Sequence, residues 1–314
     1  MPDIEPKNEL PPQPPFPREK TEGIVSWIFL DDAGLRGIWR LALYASVTAI
    51  LGFSELIFLQ LAVGPPPGRF NLGYWFPYEV LSFAAVFGAA LVMAKIEGRP
   101  AGVYGLPRKG AFGKLFWQGC AIGFVEVGGL VGLIYIFGGY SFGEIELHGV
   151  EALRWALVWA VLFLFVGLFE EFLFRGYTQF TLAEMVGFWP AAILLSLFFG
   201  AVHRDNLGET WTGIAGVALT GMVFAFGLKR TGNLWLVVGW HATFDFGETY
   251  LFSVPNSGTV FRGHLSGATL HGPDWLTGGS AGPEASVFSF VMLGVLTLAV
   301  HVLFPAKKKE ISPS

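Results

Sequence analysis

Long runs of apolar residues recur along the chain, and each run has about the length that a membrane-crossing helix requires. These windows of about 20 residues fall near 38–63, 78–96, 115–138, 153–174, 187–203, 212–228, 233–252 and 286–304. Lipid offers no hydrogen-bond partner to backbone polar groups, so segments of this kind fold as helices. The pattern therefore predicts an all-α fold, a polytopic transmembrane helix bundle with about eight membrane-spanning helices.

Three segments lack this apolar pattern. Residues 1–36 are predicted to be a Pro-rich cytoplasmic tail and juxtamembrane segment, because their composition buries too little apolar surface to fold. Residues 306–314 form a basic tail suited to lipid headgroups. Residues 253–285 form a long Gly-rich outer loop, and loops of this length are usually functional or disordered. The remaining chain, 37–305, is assigned to one transmembrane helical domain.

Lysine and arginine are unevenly distributed between the two predicted sides of the membrane. With the N-terminus placed in the cytoplasm, the cations that fall outside are Arg69, Arg154, Arg204 and Arg262. This bias follows the positive-inside rule. It predicts an integral multi-pass protein with both termini cytoplasmic and the lipid bilayer as its immediate surroundings. We expect this membrane to be a bacterial cytoplasmic membrane.

Composition agrees with a membrane protein and excludes several other classes. The chain is 53% hydrophobic and 14% charged, and its mean hydropathy is +0.55. A net charge of −4 without a basic patch argues against nucleic acid as a partner. The single cysteine, Cys120, excludes an internal disulfide and a cysteine-based metal site.

Ionisable residues interrupt the fourth apolar window, although each costs about 2.5–3.5 kcal/mol at the centre of a bilayer. Arg175 shares a helical face with Glu171, four residues away, whereas Glu170 points elsewhere. We expect Glu171 and Arg175 to form an ion pair, and Glu170 to face a cavity as a candidate general base. A buried ion-pair cluster with a purely structural role is the alternative interpretation.

Two further windows supply histidines. His203 follows Phe199 by one helical turn, and His241 shares a face with Asp245, which is placed to orient the imidazole. The alternative is that His203 has a structural role and that His241 and Asp245 only form a local hydrogen-bonded pair. The combined set matches a hydrolytic zinc site with Glu170, His203 and His241 as ligands. It equally matches a metal-free site that activates water.

The ordered motifs Glu-Glu-x-x-x-Arg, Phe-x-x-x-His and His-x-x-x-Asp, within 165–250, resemble the CPBP intramembrane proteases, which include CAAX prenyl endopeptidases and bacteriocin-processing relatives. The resemblance implies an intramembrane endopeptidase, with possible CAAX-type processing, that cuts a protein or peptide substrate in or at the membrane. By this resemblance Glu170 activates the attacking water, and His203 assists it or holds a metal such as Zn²⁺. His241 and Asp245 stabilise the oxyanion or complete the metal shell.

The same resemblance gives Glu171, Arg175 and Phe199 supporting roles. An ionised Asp245 cannot donate a hydrogen bond to an oxyanion, so we expect it to orient His241 or to bind metal.

The competing function is non-catalytic: a membrane binding or immunity protein, or a small-solute transporter. Proton-coupled transporters also bury Glu, His and Asp. Many of them contain interrupted helices in repeated halves, a pattern that this sequence does not show. The presence of every motif residue favours the enzyme.

Overall fold

The computed structural model describes residues 28–31, 34–67, 70–206 and 208–306. Most of the predicted N-terminal tail (1–27), Arg69 and the basic tail beyond residue 306 lie outside these ranges.

The described chain is almost entirely helical, which confirms the all-α prediction. The helices are α1 (Gly37–Ala62), α2 (Leu72–Glu97), α3 (Lys114–Ile136), α4 (Gly149–Arg175), α5 (Tyr177–Val186), α6 (Phe188–Val202), α7 (Trp211–Thr231), α8 (Trp235–Phe246), α9 (Asp274–Thr277) and α10 (Val287–Leu303). A π-helical turn, Gly247–Leu251, continues α8. Single 3₁₀ turns cover Ala101–Tyr104, His203–Asp205 and Pro283–Ala285.

Five helical segments are long and apolar enough to cross a membrane: Gly37–Ala62, Leu72–Glu97, Lys114–Ile136, Gly149–Val186 and Trp211–Thr231. The eight predicted windows correspond to α1–α4, α6–α8 and α10, so the count of about eight is approximate. Three of these helices, α6, α8 and α10, are only 15, 12 and 17 residues long.

The helix boundaries differ from the prediction at two places. Helix α2 begins at Leu72 rather than near 78 and contains Pro77 inside it. Helix α5 was not predicted, because its threonines, glutamine and glutamate break the apolar pattern. Several of these polar residues nonetheless face the protein interior, including Gln179 and Thr181, which are 1% and 0% exposed.

The innermost helix of the bundle is α8, which packs between α3 and α4. Three consecutive residues of it, Leu236 to Val238, have no exposed surface, and neither does Trp240. Glycines permit the close approach of α3, since a Cβ at Gly119 would collide with the backbone of Leu236. This packing fixes α8, and with it the third sequence motif, at the centre of the molecule.

The outer loop is more structured than its glycine content suggested. Strand β4 (Thr269–Leu270) pairs antiparallel with β3 (Tyr140–Ser141), which follows α3. A second short pair, β1 (Leu30–Asp31) with β2 (Gly34–Leu35), precedes α1. Backbone hydrogen bonds also join Val254 to Glu248 and Leu265 to Tyr250. The loop is therefore attached to the π-helical end of α8.

Candidate active site

A largely buried charge cluster connects α4 with α8. The predicted ion pair is present: Nη1 of Arg175 lies 3.2 Å from Oε1 of Glu171, and neither side chain is exposed. The same oxygen lies 2.9 Å from Nδ1 of His241. A carboxylate can only accept a hydrogen bond, so Nδ1 of His241 carries a proton in this contact. The guanidinium also stacks over the ring of Phe199, 4.3 Å from its centroid.

Glu170 points away from this cluster, as the helical step of 100° predicts, and lines a cavity of about 580 Å³. Its Oε2 lies 3.9 Å from Nε2 of His241. This oxygen is buried and has no hydrogen-bond partner in the part of the chain that the structure describes. The cavity wall also contains Glu79, a carboxylate on α2.

His203 lines the same cavity, so the structure brings it together with Glu170 and His241. It lies in the 3₁₀ turn that follows α6. Its Nδ1 is 2.7 Å from the carbonyl oxygen of Phe199, one turn earlier. A carbonyl only accepts, so this Nδ1 carries the proton, and Nε2 of a neutral His203 keeps its lone pair. The Phe-x-x-x-His spacing thus selects the tautomer.

Asp245 completes the group on α8. Its Oδ2 lies 3.5 Å from Nε2 of His241, and the residue is 8% exposed. His241 therefore has carboxylates on both sides of its ring, Glu171 at Nδ1 and Asp245 with Glu170 at Nε2. The ring is held in one orientation with Nε2 towards the cavity.

A second, smaller cavity of about 60 Å³ adjoins His241 and Asp245. Sequence analysis missed two of the residues in its wall, Glu248 and Asn256. The signal for Glu248 was its spacing of three residues from Asp245, which places both on one helical side. Glu284 lies there as well, outside the membrane-spanning helices, and burial raises the pKa of its carboxyl above the ordinary value.

The segment that carries these residues matches a known protein family. A family model described as "Rce1-like: Type II CAAX prenyl endopeptidase Rce1-like" matches residues 152–247. The matched segment runs from α4 to the first residue after α8 and contains all three motifs. This segment is similar to the Rce1-like CAAX endopeptidase family. No curated protein and no solved structure matches the chain.

The match to the Rce1-like family confirms the predicted resemblance and indicates a protease embedded in a membrane. The family match does not depend on the outer loop, because residues 253–285 lie beyond the matched segment. Any contribution of that loop to the site therefore lies outside the family match.

The three zinc ligands predicted from the sequence line one cavity. Within the described ranges, no group of three or more His, Cys, Asp or Glu side chains is arranged to hold a metal ion. The zinc ligands Glu170, His203 and His241 remain a prediction, and the chemistry below uses no metal.

Proposed function

We propose that this chain is an intramembrane endopeptidase that hydrolyses a peptide bond of a membrane-associated protein or peptide. The observation that carries the proposal is the convergence of Glu170, His203, His241 and Asp245 on one cavity, within a segment that matches a family of endopeptidases. The cavity is lined both by helices and by residues of the outer loop.

Glu170 is the general base in this proposal. Its unpartnered Oε2 accepts a proton from a water molecule as the water oxygen attacks the carbonyl carbon of the scissile bond. The tetrahedral intermediate then breaks its C–N bond, and Glu170 returns the proton to the departing nitrogen. The water is thereby divided between a new carboxyl group and a new amine.

The two histidines orient the reactants. His203 accepts the second hydrogen of the water through the lone pair on Nε2, and this hydrogen bond directs the water oxygen towards the substrate. His241 is held by Glu171 on one side and Asp245 on the other. Its Nε2 faces the region where the oxyanion develops, and a proton on Nε2 stabilises that charge.

The wall of the larger cavity fits a substrate associated with the membrane. Aromatic side chains from three parts of the chain line it, including Trp75, Phe163 and Phe261. Such surfaces accept apolar side chains or a lipid chain. We propose a lipid-embedded enzyme with both termini in the cytoplasm, as the positive-inside distribution indicates.

The test replaces Glu170 with Gln, which keeps the shape of the side chain but removes the base. Purified wild type and Glu170→Gln, in proteoliposomes, are incubated with a library of lipidated peptides, and products are identified by mass spectrometry. We expect the variant to lose at least about 100-fold in kcat on every peptide that the wild type cleaves. Glu55→Gln is the matched control, because Glu55 is a buried glutamate bonded to Ser82 in a separate cavity.

Retention of wild-type cleavage by Glu170→Gln refutes the proposal. A second arm repeats the wild-type assay after chelation with metal analysis of the protein. Unchanged kcat supports the metal-free chemistry, whereas loss of activity that Zn²⁺ restores assigns the histidines to a metal and overturns this part of the mechanism.

A further inference from the structure

The proposed reaction needs uncharged or cationic donors where the carbonyl oxygen of the substrate becomes an oxyanion. Such sites generally combine donors that are already in place before the reaction. An ionised Asp245 has none to offer, although it lies beside His241 at the position where donation would be useful. A neutral donor near Asp245 is therefore the missing part of this site.

Asn256 supplies a neutral amide at this place. It lines both the larger and the smaller cavity, together with His241 and Asp245. Its Nδ2 lies 3.4 Å from the backbone oxygen of Asp245, and the residue is 8% exposed. An amide nitrogen carries two hydrogens; one points to the backbone oxygen of Asp245, and the amide also lies near the Asp245 carboxyl group, beside the cavity.

The backbone around Asn256 is held in place by hydrogen bonds. Asn256 and Thr259 exchange two backbone hydrogen bonds, of 3.0 and 2.9 Å. The next residue, Ser257, donates its N–H to Oε1 of Glu284 at 2.6 Å. Two non-glycine residues nearby adopt left-handed backbone angles, Ser253 with φ of 58° and Ser257 with φ of 45°. Strain of this kind persists where the surrounding structure enforces it, and it concentrates at functional sites.

We propose that the side-chain amide of Asn256 is a catalytic residue, which donates a hydrogen bond to the carbonyl oxygen of the scissile peptide as negative charge develops on it. This inference rests on the proposed peptidase function. It makes the outer loop part of the active site, because the Asn256 donor comes from beyond the last residue of the family match.

The test compares Asn256→Ala with Asn256→Asp on a peptide that the wild type cleaves, in proteoliposomes. Aspartate keeps the size of the side chain but loses the donor. We expect both variants to lower kcat by about 100-fold, with KM within about twofold of the wild type, since the interaction forms in the transition state. The backbone bridge to Thr259 needs no side chain, so both variants should keep the loop in place.

Asn71→Ala is the matched control for a purely structural effect. Asn71 caps α2 through its side chain and is exposed, so its loss lowers the melting temperature but leaves kcat within twofold. A kcat of Asn256→Asp within twofold of the wild type overturns the inference, as does a parallel rise in KM with no fall in kcat.

The two proposals fail in different ways. If Glu170→Gln remains active, the peptidase mechanism itself is wrong. If Glu170→Gln is inactive while Asn256→Ala and Asn256→Asp cleave normally, only the role of Asn256 is rejected. Should Asn256→Ala fail to fold, the isosteric Asn256→Asp variant decides the question alone, with its melting temperature as the check on folding.

Discussion

One oxygen of Glu171 contacts two partners, Arg175 at 3.2 Å and His241 at 2.9 Å. The side chains of Glu171 and Arg175 have no exposed surface. The arginine also has two nitrogens, Nε and Nη2, without a partner in the described chain. Its positive charge is therefore balanced chiefly by one carboxylate. Removing that carboxylate leaves an uncompensated cation in the interior.

We therefore expect Glu171→Gln to destabilise the protein by about 3–5 kcal/mol, measured by unfolding in detergent. Glu146→Gln is the control, because Glu146 is a half-exposed glutamate, 3.5 Å from His264, and exposed pairs contribute about 1 kcal/mol or less. If Glu171→Gln unfolds at the same denaturant concentration as the wild type, Glu171 does not carry the balancing charge.

At the scale of helices, the site depends on how closely α3 approaches α8. A Cβ on Gly123 would collide with Oγ1 of Thr243 and with the carbonyl oxygen of Trp240, the residue before His241. Gly119 and Gly123 form a small-x-x-x-small pair, the spacing that lets membrane helices pack at short range. Any larger side chain here moves α8, and His241 moves with it.

Gly123→Ala should therefore destabilise the protein by about 1–3 kcal/mol, as overpacked sites do, and should lower kcat as well. The comparison is Gly132→Ala on the same helix, where an added Cβ meets nothing within 4 Å. That variant should be as stable as the wild type or slightly more stable, because alanine favours helix. Equal melting temperatures and equal kcat for the two variants would show that α3 does not position α8.

Elements with a long apolar pattern could be predicted from the sequence, because lipid imposes the same length and polarity on every span. The same argument could not find α5, since its polar face is buried against protein rather than lipid. The predicted start of the second window near 78 was wrong, because α2 begins at Leu72 and continues through Pro77.

Some residues of the candidate site could likewise be predicted from the sequence, and others could not. Glu171, Arg175 and the outward turn of Glu170 follow from helical spacing, which is a local property. Asn256 carries no such signal, because its position beside Asp245 depends on how the outer loop folds back over α8. Contacts of this type are set by tertiary structure, and no pattern of neighbouring residues encodes them.

The whole molecule has two ends that differ in chemistry. At one end, Arg40 and Arg99 bind Glu184, and Arg40 also binds Glu97 at 2.7 Å, which joins α1, α2 and α5. At the other end lies the outer loop. Helix α3 runs between the two ends. Lys109 lies shortly before its first residue. Gly139, shortly after its last residue, accepts a backbone hydrogen bond from His271 in the outer loop. The 23 residues of α3 span about 35 Å, enough to cross the hydrocarbon core.

This arrangement makes the predicted orientation testable with single cysteines. Cys120, the only native cysteine, is buried, so a membrane-impermeant maleimide should leave the wild type unlabelled. Lys109 and His271 are both exposed. Because the positive-inside bias places Lys109 in the cytoplasm, Lys109→Cys should react only in inverted vesicles and His271→Cys only in right-side-out vesicles. The reverse pattern would place the outer loop, and the mouth of the cavity beside it, on the cytoplasmic side.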